Sequence, residues 1–112
     1  NIKMKDPIVI VSSARTPMGG LQGSLSALSA NQLGAVAIEA TLQRAGIEAS
    51  LIEEAIIGNV LPAGQGQAPA RQAVLGAGLP LSTHCTTINK MCGSGMKAAM
   101  LCHDLLTAGV ND

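Results

Sequence analysis

Apolar and polar positions follow two rhythms along this chain: short β-branched runs, and longer stretches with helical spacing. Pro7-Ile8-Val9-Ile10-Val11 is continuously apolar, the pattern of a strand buried on both faces of a parallel sheet. It runs into Ser12 to Pro17 and then Gly19-Gly20, a loop signal. Asn31 to Ala45 reads as a helix with Leu33, Val36, Ala37, Ala40 and Leu42 on its apolar side and Glu39, Gln43 and Arg44 opposite. Asn31 or Ser29 can cap its start, and Gly46 stops it. Ser50 and Glu53 fit a capping box for a short helical turn. Ala55 to Val60 is a second strand candidate, and Pro62 to Gly66 a loop. Pro69 suits the first turn of a helix that continues to Ala77. Thr83 to Met91, polar but rich in Thr and Ile, predicts a third strand. Gly95 to Thr107 predicts a helix with Met96, Ala99, Met100, His103 and Leu106 as its stripe and Gly109 beyond its end. Strand and helix alternate, which places the chain in the α/β class, with a mostly parallel sheet and flanking helices.

Composition narrows the possibilities. The 112 residues suit one domain or part of one, and 47% hydrophobic content supports a core. Seven basic residues balance seven acidic ones, so nucleic acid is not expected as a partner. No run of about 18 apolar residues occurs, and no membrane span is expected. Residues 1–6 read as a disordered or vector-derived start, with Met4 the natural first residue. The chain has no Phe, Tyr or Trp, side chains that usually supply much of a core, and nothing closes it after Gly109. Both features suggest a partial domain. A sheet and helix face left uncovered in this way predict poor stability or association of the 112 residues alone. Three cysteines, Cys85, Cys92 and Cys102, with no CxxC pair, argue against a disulfide framework or a metal site and for a reducing, cytoplasmic setting.

The densest chemistry lies in Asn89-Lys90-Met91-Cys92-Gly93-Ser94-Gly95-Met96-Lys97-Ala98. A strand end, a cysteine, glycines and then a helix put unpaired N–H groups and the positive end of a helix dipole beside sulfur. That environment suits anionic sulfur, a strong nucleophile toward thioesters. The Cys92 N–H is placed to donate to a developing oxyanion. Gly93 and Gly95 remove side chains where a substrate or another segment approaches. Two other readings of the same residues stand beside this one. Cys92 fits a small buried hydrophobe, and Gly93 to Ala98 fits the GxGxxA dinucleotide fingerprint with Asp112 about 20 residues on. The fingerprint calls for an apolar strand before its first glycine, whereas this one carries Thr86, Thr87, Asn89 and Lys90.

No base for Cys92 is apparent nearby. His103, eleven residues on, sits ~16 Å along a helix, against a hydrogen-bond reach of ~3 Å. His84, eight residues upstream, is ~26 Å away in an extended segment. His84 and His103 therefore read as structural, Cys85 and Cys102 as core, Lys90 and Lys97 as solvated. Arg15 and Arg71 are candidates for pairing with carboxylates.

Ile88 to Ala98 resembles the active-site cysteine signature of the thiolase family, and three further segments agree with that family in order and spacing. These are Ile8 to Pro17, Gly58-Asn59-Val60-Leu61, and Gly64-Gln65-Gly66-Gln67-Ala68-Pro69-Ala70-Arg71-Gln72. The resemblance covers roughly 7 to 109. It implies a thiolase-like fold, with 7–112 a partial amino-terminal domain carrying the catalytic Cys92. It also implies ping-pong acyl transfer between coenzyme A thioesters in fatty acid metabolism, through an acyl-Cys intermediate, by a homodimer or homotetramer. Acetyl-CoA and acyl-CoA would be substrates, with no further cofactor and no metal. The family's activating His, second Cys, water-holding Asn and CoA-binding loop lie in segments that these 112 residues do not contain, so the chain alone is expected to be inactive. The resemblance further puts Gln65 to Gln72 and the strand leading to Cys92 near a dimer interface. A ketoacyl synthase, or a non-catalytic assembly fragment, remains the alternative.

Overall fold

A computed structural model describes residues 6–112, so the expectations for 1–5 lie outside the described residues. Helix α1 spans Ala30–Ala45, strand β1 Glu54–Gly58, helix α2 Pro69–Gly76, strand β2 His84–Ile88 and helix α3 Ser94–Thr107. β1 and β2 pair in parallel, Glu54 opposite His84 through Gly58 opposite Ile88, with α2 as the crossover. The α/β class and parallel pairing expected from the sequence are therefore present, in a sheet of two strands.

Each boundary has a local cause. Of the two candidate caps of α1, Ser29 serves: its hydroxyl accepts from the Gln32 N–H at 3.1 Å while the Gln32 side chain accepts from the Ser29 N–H at 2.8 Å. Gly46, left-handed at φ 66°, ends the helix. α2 starts at Pro69, and its Ala70 N–H is satisfied by the Thr87 hydroxyl of β2 at 3.0 Å.

The core is small and centred on α2: Ala70, Ala73, Val74 and Leu79, with Ala98 from α3. α1 and α2 approach closely through small residues. A Cβ on Gly34 would stand 3.1 Å from the Ala73 Cβ, and one on Gly76 would stand 3.2 Å from the Ala35 Cβ. Arg71 staples the turn before β2. Its guanidinium donates to the carbonyls of Thr83 and Leu81, each at 2.8 Å. The Thr83 hydroxyl, fully buried, donates to Ile52 O at 2.7 Å and ties that turn to the entry of β1.

Pro7 to Val11 is not a strand: Ile8 to Val11 are exposed, Ile10 at 89%. β-branched residues suit a strand but do not make one; the hydrogen-bonded neighbour does, and no strand among the described residues pairs with this run. The Ser50–Glu53 capping box does not form. A 3-10 turn spans Ala49–Leu51, with Glu48 before it and no side-chain cap. Arg71 engages main-chain carbonyls rather than a carboxylate, and no carboxylate pairs with Arg15 among the described residues.

α3 turns a different face inward from the one its stripe predicted. Met96, Ala99, Met100 and His103 of that stripe are exposed and only Leu106 is half-buried, whereas Ser94 and Ala98 are buried and Leu101, Cys102 and Leu105 half-buried. Lys97, His103, Asp104 and Thr107 lie together on one side of α3 with Met96 and Met100, and the opposite side, free of charge and small at Ser94 and Ala98, packs against β1.

Candidate active site around Cys92

β2 ends at Ile88 and α3 begins at Ser94, leaving five residues to reverse the chain. Met91 makes the reversal with φ 48°, a left-handed conformation that costs a side-chain-bearing residue about 1–2 kcal/mol. Local hydrogen bonds hold it there. The Met91 N–H donates to Asn89 Oδ1 at 2.9 Å. The Ser94 hydroxyl accepts from the Lys90 N–H at 2.8 Å and donates to the Met91 carbonyl at 2.6 Å. The amides of Gly93 and Ser94 close the turn onto Lys90 O and Met91 O at 3.0 and 3.1 Å. Asn89 Nδ2 reaches Val60 O at 3.4 Å, linking the elbow to the segment after β1.

The product of this turn is an exposed Cys92 thiol two residues before the first turn of α3. No side chain caps that helix, and no hydrogen bond of the Cys92 N–H is found among the described residues. An exposed thiol and main-chain N–H groups with no partner among the described residues therefore share one corner, an arrangement that can serve attack on a thioester carbonyl and stabilisation of the resulting oxyanion.

No other segment of the described chain packs closely on Gly93 or Gly95, which leaves the space beside them open. A Cβ on Gly95 would meet nothing within 4 Å, and one on Gly93 only Lys90 O at 3.5 Å. The tight glycine is Gly58, the last residue of β1. A Cβ there would stand 2.7 Å from the Ser94 Cβ, 2.9 Å from the Ser94 carbonyl carbon and 3.1 Å from the Gly95 nitrogen. Gly58, Asn89 and Ser94 thus shape the site; the sequence marked the segments that hold them but assigned none of the three a role. The available signal was a serine two residues after the cysteine, with a glycine closing β1.

The remaining polar residues serve elsewhere. His84 opens β2, at the end of the strand away from Cys92, and is exposed. His103 lies on the exposed face of α3 beside Asp104, its Nδ1 3.3 Å from the carboxylate. Cys85 and Cys102 are half-buried. Burial, and then the Glu54 carboxylate, push the Cys102 thiol above its ordinary value of 9.0. Gln65 and Gln72, expected near an interface, are joined to the chain itself. Asn59 Nδ2 donates to Gln65 Oε1 at 2.6 Å, and Gln72 Nε2 donates to Gln67 O at 2.6 Å. Asn31 Nδ2 donates to Gln72 Oε1 at 2.8 Å. This amide network fixes the loop between β1 and α2. No cluster of three or more His, Cys, Asp or Glu that could hold a metal ion occurs among the described residues.

Comparison with known proteins bears on this geometry. The family described as "Thiolase, N-terminal domain" matches residues 8–112. The mitochondrial acetyl-CoA acetyltransferase of Bos taurus is 57% identical over 105 residues, which are 94% of this chain and 25% of that protein. Acetyl-CoA acetyltransferase 2 of Arabidopsis thaliana is 56% identical over 94% of this chain and 26% of its own length. The crystal structure of the Acat5 thiolase from Ascaris suum in complex with coenzyme A superposes with a TM-score of 0.88 at 40% identity, covering 90% of this chain and 26% of that one. The chain thus spans about a quarter of the length of these relatives.

Proposed function

From the premise that this chain belongs to the thiolase family, we propose that the whole protein is an acyl-CoA C-acyltransferase of the acetyl-CoA acetyltransferase type, with Cys92 as its acyl-carrying nucleophile. The observation that carries the reading is the exposed Cys92 thiol held at the head of α3 by the Asn89–Ser94 elbow. The names of the relatives support the substrate class: they are acetyl-CoA acetyltransferases, and the Ascaris suum thiolase is described in complex with coenzyme A.

In the proposed reaction Cys92 Sγ attacks the thioester carbonyl carbon. The tetrahedral oxyanion collapses, the C–S bond to coenzyme A breaks, and the departing sulfur takes up a proton. A second acetyl-CoA then loses an α-proton to a base, and its carbanion attacks the acyl-Cys carbonyl. The new C–C bond forms as Cys92 Sγ leaves, giving a 3-ketoacyl-CoA; thiolysis is the reverse. The protons require a base and an acid, and neither described histidine is within reach of Cys92. The 112 residues alone are therefore proposed to be inactive, with the catalytic acid and base supplied by other parts of the protein. The same reading includes a homodimer or homotetramer, on the family resemblance, and a reducing cytoplasm, on the three free thiols.

Labelled acetyl-CoA tests the reading directly. The whole protein is expected to acquire one acetyl group, mapped to Cys92 by peptide mass spectrometry and absent in Cys92→Ala. Label that survives Cys92→Ala sinks the assignment. Transfer from an acyl carrier protein but not from coenzyme A moves it to a ketoacyl synthase.

A further inference from the structure

The Ser94 hydroxyl is a polar group at a buried position, 5% exposed, and both of its hydrogen bonds go to the elbow rather than to the helix it begins. They bracket Met91, accepting from the residue before its peptide unit and donating to its carbonyl. A left-handed Met91 is unfavourable by itself, so these bonds offset the cost of the conformation that turns Cys92 outward. On the other side the Ser94 Cβ is backed by Gly58, where no Cβ has room, so the hydroxyl is held from behind by the β1 main chain. The link runs from strand through serine to elbow, and it ends at the thiol.

We propose that Ser94, seated against Gly58, is a positioning residue for Cys92: its hydroxyl latches the Lys90–Met91 elbow and so fixes the sulfur and the neighbouring main-chain donors in the arrangement acyl transfer needs. The proposal rests on the acyl-transfer reading above. Ser94 touches no reacting atom and acts only through the elbow. Its loss is therefore expected to slow a reaction that depends on alignment while leaving one that depends only on exposure.

The experiment compares Ser94→Ala with its parent in the intact protein, by three measurements on the same sample. These are acetylation of Cys92 at saturating acetyl-CoA, alkylation of all three cysteines by iodoacetamide, and amide hydrogen exchange. With two hydrogen bonds removed, acetylation is expected to slow by about tenfold or more, while Cys92 alkylation changes by less than about threefold. Cys85 and Cys102 stay as slow to alkylate as in the parent, and exchange quickens only across Lys90 to Gly93. Acetylation at the parental rate overturns the proposal. So does faster alkylation of Cys85 and Cys102, which would make Ser94 a general stabiliser of the fold. If the parent itself takes no acetyl group, the acyl-transfer reading fails, and Ser94's part in it fails too. Exchange across Lys90 to Gly93 then decides the latch alone, and unchanged exchange overturns it.

Discussion

Gly58 and Ser94 meet so closely that a single added carbon would not fit between them: a Cβ on Gly58 would lie 2.7 Å from the Ser94 Cβ and 2.9 Å from the Ser94 carbonyl carbon. One of those neighbours is main chain, so relief requires α3 to move rather than a side chain to rotate. Gly58→Ala is expected to destabilise by about 1–3 kcal/mol, the usual range for overpacking, and to depress Cys92 acetylation because α3 carries the site. Urea unfolding and acetylation assays on one preparation check this; unchanged stability would mean the two elements are looser than they stand here.

The capping box at α1 predicts a purely local effect. Ser29→Ala removes the acceptor for the Gln32 N–H and is expected to cost about 1 kcal/mol with no change at Cys92. Denaturant midpoints read the cost, and iodoacetamide alkylation of Cys92 reads the absence of any effect on the site.

Arg71 has a larger structural part. Its guanidinium joins α2 to the carbonyls of Leu81 and Thr83, immediately before β2. Arg71→Lys keeps the charge but lacks the planar fork that reaches both oxygens. It is expected to cost about 1.5–3 kcal/mol, in line with hydrogen bonds to charged donors, and Arg71→Met should cost at least as much. A lysine variant as stable as the parent would show that the charge alone suffices.

Cys102 gives a pH dependence. Its thiol is raised in the folded chain by burial, with the Glu54 carboxylate adding to it, while the unfolded chain ionises near 9.0. An acid whose folded value is raised binds more protons folded than unfolded once pH passes the unfolded value, so stability falls as pH rises above 9.0. Thermal unfolding between pH 8 and 10 should show this fall, and Cys102→Ala should flatten it. At neutral pH the same burial predicts that Cys102 alkylates more slowly than the exposed Cys92.

The exposed run from Ile8 to Val11 predicts association of the 112-residue chain by itself. Val9, Ile10 and Val11 are 65%, 89% and 64% exposed, with strand-forming side chains and no strand partner among the described residues. Light scattering is expected to detect assemblies that grow with concentration, and Ile10→Lys is expected to reduce them.

What depends on neighbours along the chain was legible in the residues alone. Element type follows from periodicity, so α1, α2, α3, β1 and β2 were each legible to within a few residues. Helix ends follow from caps, hence Ser29, Gly46 and Pro69. The position of Cys92 between a strand and a helix was legible for the same reason, and four co-linear segments pointed to the family. Tertiary structure decided whatever depends on which surfaces meet. Pro7 to Val11 has a strand's composition, but pairing is a contact between distant segments, and composition does not record it. The packed side of α3 is the one without Lys97, His103, Asp104 and Thr107; a stripe drawn through Met96, Met100 and His103 misses it, and close packing of Ser94 on Gly58 at the end of β1 fixes it. The glycine that matters at the site was settled in the same way. Gly93 and Gly95 lie beside the cysteine in sequence, yet the glycine at this site with no room for a side chain is Gly58, 34 residues upstream of Cys92, because only the fold lays the end of β1 against the head of α3.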